Sequence, residues 1–102
     1  MLVVLLDAET EFLKAARWYE RQQSGIGEEF LDELAETFQQ IQEDPTRFPV
    51  LESLNTSQGT FQRCRLKRFP YVVVFHVAES ETRIIAVSHV RRRPNYWMDR
   101  AE

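Results

Sequence analysis

FQRCRLKRFPYVVVFHVAESETRIIAVSHV, residues 61–90, holds three strand-like runs separated by two short breaks. Residues 61–67 alternate, with Phe61, Arg63, Arg65 and Lys67 on one side of an extended chain and Gln62, Cys64 and Leu66 on the other. One face of that strand is basic. Residues 71–77 are almost wholly apolar, Tyr71, Val73, Phe75 and Val77 opposing Val72, Val74 and His76, which is the composition of a central strand. Arg83–Val90 supplies a third, with Ile84, Ile85, Ala86 and Val87 in its middle. The breaks at Lys67–Pro70 and Ala78–Thr82 are short enough for hairpins, so the three runs predict a meander.

Upstream, five consecutive Leu and Val at residues 2–6 predict a short buried strand. Asp7 is suited to cap a helix, Glu9 and Glu11 sit where the helix dipole favours negative charge, and Ala8, Phe12, Ala15, Ala16 and Tyr19 recur at helical spacing. The first helix should span about 8–23. Ser24-Gly25 stops it. Glu28-Glu29 open a second helix, with an apolar stripe of Phe30, Leu31, Leu34, Ala35, Phe38 and Ile41, which ends at Pro45. Trp18, Tyr19, Phe30 and Phe38 are its expected aromatic packing. Residues 45–60 read as a connecting loop. The order β-α-α-β-β-β predicts an α+β fold, a helical hairpin on one face of a mainly antiparallel four-stranded sheet, with the other face open and a short C-terminal tail or helix.

With 102 residues the chain fits one domain spanning 1–102. One cysteine, Cys64, cannot pair internally, and no Cys/His cluster has zinc spacing, so neither metal nor cofactor is expected. The apolar runs at 1–6 and 71–78 fall far short of the roughly 18 residues of a membrane span. Met1 leads into apolar residues and then Asp7, Glu9 and Glu11 rather than a secretory signal, which predicts a cytoplasmic protein. Charge is polarised: residues 1–60 carry 4 basic and 12 acidic side chains, residues 61–102 carry 9 and 4. A basic half of this kind suits an anionic partner.

Arg63, Arg65 and Lys67 share the sheet with His89 and the cluster Arg91, Arg92 and Arg93, and together they form a candidate anion site. Three readings of it stay open: a nucleic-acid backbone, an acidic peptide, or a solvated basic face. Cleavage of RNA through its 2′-hydroxyl needs a base, an acid and a cation for the developing phosphorane charge. His89 could serve as base or acid, Tyr96 as a weaker one, and Arg63, Arg65 or Arg91 as the cation. His89 could equally order the arginine turn, and His76 reads as a packed residue. The tail, residues 93–100, joins Arg93, Trp97 and Arg100 in a latch. It either touches a target, or Trp97 covers an edge of the core while Arg100 pairs with an acid of the helical hairpin, the reading given more weight. No Gly-rich phosphate loop, Ser/His/Asp pattern or paired-carboxylate motif is present.

WYE at 18–20, the Gly-x-Gly-Glu-Glu-Phe of residues 25–30, Pro45, Phe48-Pro49, RFPYVVVFHV at 68–77 and IIAVSHVRRRPNYWMDR at 84–100 make a recognisable set. Over nearly its whole length the chain resembles the RelE/ParE superfamily of type II toxin–antitoxin toxins. The pattern Ile-x-Ala-Val-x-His-x-x-Arg-x-Pro-x-x-Trp favours the ParE-like branch. The resemblance implies a small bacterial toxin neutralised by a cognate antitoxin that wraps a C-terminal segment around it, with DNA reached only through the antitoxin. ParE-like members inhibit DNA gyrase and so replication, without catalytic residues. RelE-like members instead cut messenger RNA on the ribosome. In that branch His89, Arg63, Arg65 and Arg91 would carry the chemistry, the three arginines falling at phosphate-binding positions. The pI near 5.4 and the long tail speak for the ParE-like branch, and the nuclease tyrosine role is not carried to Tyr96. Arg63, Arg65, Lys67 and Arg91 are the expected antitoxin anchors. Arg93, Trp97 and Arg100 are the expected target contacts or tail latch.

Overall fold

In the computed structural model, which describes residues 1–51 and 59–101, strand β1 (Leu2–Val4) leads into helices α1 (Leu6–Gln22) and α2 (Ile26–Glu43). Strands β2 (Thr60–Arg65), β3 (Tyr71–Ala78) and β4 (Glu81–His89) follow. Short 3-10 turns lie at Pro45–Arg47 and Met98–Ala101. The sheet order is β1-β4-β3-β2, with β1 parallel to β4 and the other pairs antiparallel. This is the α+β arrangement that the sequence predicts.

Several details differ. β1 is three residues long and half-buried, because it pairs on one side only and lies at the sheet edge. Helix α1 starts at Leu6 and its N-cap is Leu5, so Asp7 sits inside the first turn and caps nothing. The loop between the helices is tighter than a solvent-exposed linker. The Glu20 carboxylate accepts from the Gly25 and Gly27 N–H groups at 2.9 and 3.0 Å, supplying the acceptor that the start of α2 lacks. Gly25 adopts φ 94°, and a Cβ on Gly27 would stand 2.5 Å from the Ala16 carbonyl oxygen. The two glycines therefore serve the turn and the close helix crossing respectively. Of the expected loop at 45–60, residues 52–58 lie outside the described residues. Around them, Asp44 accepts from the Thr46 N–H at 3.2 Å, and Val50 bridges to Gln62. Buried Gln62 donates to the Pro45 and Phe48 carbonyls at 2.6 and 3.1 Å, which ties the turn to β2.

The helices pack on one face of the sheet. Phe30, Leu34 and Ile41 from α2 and Ala8, Ala15 and Ala16 from α1 meet Val73, Phe75, Ile84 and Val87. The small residues of α1 let the helix approach the strands closely, while Tyr19, Phe30, Phe69 and Tyr71 fill the wider end with edge-to-face and tilted ring contacts.

The opposite face, expected to be open, is covered. The C-terminal segment folds back so that Trp97, 4% exposed, rests on Val74, Ile85 and Ala86. Its ring lies 5.4 Å from that of Phe61. A bulge decides which residues of β4 feed which core. Val74 pairs with Ala86 and Phe75 with Ile84, leaving Ile85 as an extra residue. Ile84 and Val87 thus join the helical side, and Ile85 and Ala86 the tail side.

Candidate functional site

Arg63 and Arg65 project from β2 away from the helices, on the same side as Phe61. Lys67 does not continue their row, because β2 ends at Arg65. Leu66 turns into the core, and the Glu33 carboxylate accepts the Lys67 and Arg68 N–H groups at 2.6 and 3.2 Å. The result is a cleft of about 660 Å³ between α2 and the outer edge of β2. Arg47, Arg63 and Arg65 lie on one wall and Glu29, Glu33 and Glu36 on the other. Half-buried Cys64 borders it, its thiol pushed up by burial. Backbone pairing fills half of this strand edge: the Leu51 N–H donates to the Phe61 carbonyl at 2.7 Å and the Arg63 N–H to the Pro49 carbonyl at 3.1 Å. Beyond that point the Arg63 carbonyl and Arg65 N–H face outward, without a backbone partner among the described residues.

On the tail side, Arg63, Arg92 and Arg93 border one shallow depression together with Ser88, Tyr96 and, at the end of β4, His89. Here the carboxylate of Glu11 organises the structure. It accepts from Arg100 at 2.9 and 3.0 Å through both guanidinium nitrogens, from the Tyr96 hydroxyl, and from the Val87 N–H at 3.0 Å. Arg100 also donates to the Ile85 carbonyl at 3.3 Å. These two β4 groups lie past the end of β1, so the Glu11–Arg100 fork occupies the edge that a longer β1 would have paired. The Arg92 guanidinium stacks 3.9 Å from the Tyr96 ring centre. Burial, and then the hydrogen bond to Glu11, push the Tyr96 hydroxyl up to about 12.

The expected group of His89, Arg63, Arg65 and Arg91 is brought together only in part: His89 and Arg63 border the same depression, while Arg65 lines the cleft beside α2 and the His89 ring turns to the opposite side of the sheet. His89 pairs in register with Tyr71 and its ring packs edge-on against Tyr71 at 5.3 Å, on the helical side of the sheet. Arg63 and Arg65 lie on the other side. The His89 Nδ1 accepts from the Arg91 N–H at 3.1 Å, which orders the arginine turn. His76 does face the tail side, against Phe61 at 4.6 Å, and burial, then nearby Arg83, lowers its pKa. Among the described residues no three His, Cys, Asp or Glu side chains are placed to hold a metal ion, and no helix is long and apolar enough to cross a membrane.

Comparison with protein families matches residues 2–94 to the ParE toxin of the type II toxin–antitoxin system parDE. The chain belongs to this family. A comparison with curated proteins finds no match. The ParE match ends at Pro94, so the segment carrying Tyr96, Trp97 and Arg100 follows the matched region. Sequence reasoning overlooked Glu11 as the residue that receives this segment. The signal was there: Glu11 falls between Ala8 and Ala15 on the stripe of α1 that faces the core, where a carboxylate needs donors.

Proposed function

We propose that this ParE-family toxin acts by protein–protein contact, inhibiting DNA gyrase and thereby replication, and that it performs no covalent chemistry of its own. The observation that carries this reading is the direction of the His89 ring, which packs on Tyr71 on the helical face of the sheet while the Arg63 and Arg65 side chains leave the opposite face. Hydrolysis through a 2′-hydroxyl needs a proton acceptor and a cation around one phosphate. On the arginine side the Tyr96 hydroxyl is engaged by Glu11 and held protonated far above neutral pH. The antitoxin is expected to lie along β2, where Arg63 and Arg65 offer cations and the strand edge offers an N–H and a carbonyl without a backbone partner among the described residues, with Lys67 just past the end of β2 and Arg91 just past the end of β4.

The test is expression without antitoxin while thymidine and methionine incorporation are followed in one culture. Thymidine incorporation should fall first, and purified protein should block supercoiling by gyrase. The His89→Ala variant should keep its toxicity. Early loss of methionine incorporation, with messenger cleavage abolished in His89→Ala, would instead establish the ribosome-dependent nuclease reading.

A further inference from the structure

β1 stops at Val4, and the fork of Glu11 and Arg100 occupies only the next stretch of β4's outer edge. Beyond it, alternation points the Val87 carbonyl and the His89 N–H outward, and neither has a backbone partner among the described residues. They border a groove of about 530 Å³ between α1 and the end of β4. Its walls are aromatic: Tyr19, Tyr71 and His89 line it, and Trp18, 51% exposed, stands at its rim. Its charged rim is basic. Lys14 and Arg92 border it, and Arg17 and Arg21 lie three and seven residues past Lys14 along exposed α1. The one carboxylate in its lining, Glu11, is already held by Arg100 and Tyr96.

An exposed strand edge, a half-exposed tryptophan and two cations, Lys14 and Arg17, with no ion pair among the described residues call for one kind of occupant. It is an extended segment that adds backbone hydrogen bonds to β4, places an apolar side chain against Trp18 and Tyr71, and carries acidic residues toward Lys14 and Arg17. We propose that this groove is a second docking site for the antitoxin, separate from the β2 edge, and that an acidic stretch of the antitoxin adds as a strand to β4. The proposal rests on reading the chain as a toxin neutralised by an antitoxin. It places contacts on both outer edges of the sheet, so a single antitoxin chain would have to pass around the molecule.

The decisive measurement is residue-by-residue amide hydrogen exchange by NMR on the free chain and on its complex with the ParD-type antitoxin encoded with it. The His89 N–H should exchange at least about ten-fold more slowly in the complex, as an edge amide does once paired. The double variant Lys14→Glu/Arg17→Glu and the single variant Trp18→Ala alter exposed side chains and should fold normally. Each should weaken the complex at least about ten-fold, and the loss from the charge variant should shrink as salt is raised. A tight complex with unchanged His89 exchange and protection only at Arg65 would overturn the second site while leaving the toxin–antitoxin reading intact. Slowed His89 exchange in a complex indifferent to both variants would also overturn it, as the mark of general tightening. Failure of the unaltered chain to bind the antitoxin would bring down the underlying reading and this site together.

Discussion

The two faces of the sheet are closed in different ways. One is covered by helices of 17 and 18 residues whose contacts are almost entirely apolar, with Phe30, Phe75 and Ile41 fully buried. The other is covered by a few residues of tail, in which one indole supplies the apolar contact and one carboxylate gathers the polar ones. A ring removed from the closed helical core leaves a cavity, whereas a member removed from the cover made of Trp97 and the Glu11–Arg100 fork opens the sheet face to water.

The largest effect is expected on the helical side. Phe30→Ala should cost about 3–5 kcal/mol in urea unfolding, because the ring leaves a closed cavity among Tyr19, Phe69 and Tyr71. Trp97→Ala should cost less, about 2–3 kcal/mol, since the vacated strip opens to water and little cavity remains. It should also raise binding of an apolar dye, which Phe30→Ala at equal fraction folded should not. Equal losses for the two variants would mean that the faces are one core and the contrast drawn above is false.

Arg100→Ala comes next, at about 1–2 kcal/mol, because it leaves Glu11 with two of its donors and frees the Ile85 carbonyl. Arg100→Lys should recover only part of that, an ammonium being unable to span both carboxylate oxygens. Thermal unfolding of the two variants side by side measures the difference. The smallest effect is one of pH. The folded pKa of His76 lies below its ordinary value of about 6.5, so the folded chain binds fewer protons there than the unfolded chain. Its contribution to stability is fully present above about pH 6.5 and is lost as the pH falls through the lowered folded value. His76→Gln should flatten the dependence of stability on pH between about 7 and 5, where most carboxylates have yet to titrate.

The elements that the sequence makes legible are those whose periodicity has one cause. The apolar stripe of α2 and the continuous apolar run of β3 each answer to a single requirement, burial on one side or on both. Ile84–Val87 is different. Four apolar residues in a row are compatible with strict alternation and with a bulge alike, so nothing in their composition says which of them faces the tail. The candidate site inherited that ambiguity, which is why His89 and the arginines looked like neighbours. The tail was legible in part: Trp97 and Arg100 announce a packed aromatic and a paired cation, but their receiving surface is assembled from α1 and β4 and has no local signature.

The bulge also sets the parity of everything after it. Before Ile85 the even-numbered residues of β4 face the helices, and after Ala86 the odd-numbered ones do. Loss of a single codon at Ile85 would restore simple alternation and leave every later residue on its present side, whereas straightening the strand with Ile85 retained would exchange the two sides from that point on. In the straightened strand the imidazole next to the arginine turn would cross to the side of Arg63, and the serine now beside Tyr96 would cross to the helices. Within this fold, then, a surface that only binds and one that gathers a base with its cations differ by whether β4 carries its bulge, a property of strand pairing that no substitution of His89 or the arginines sets.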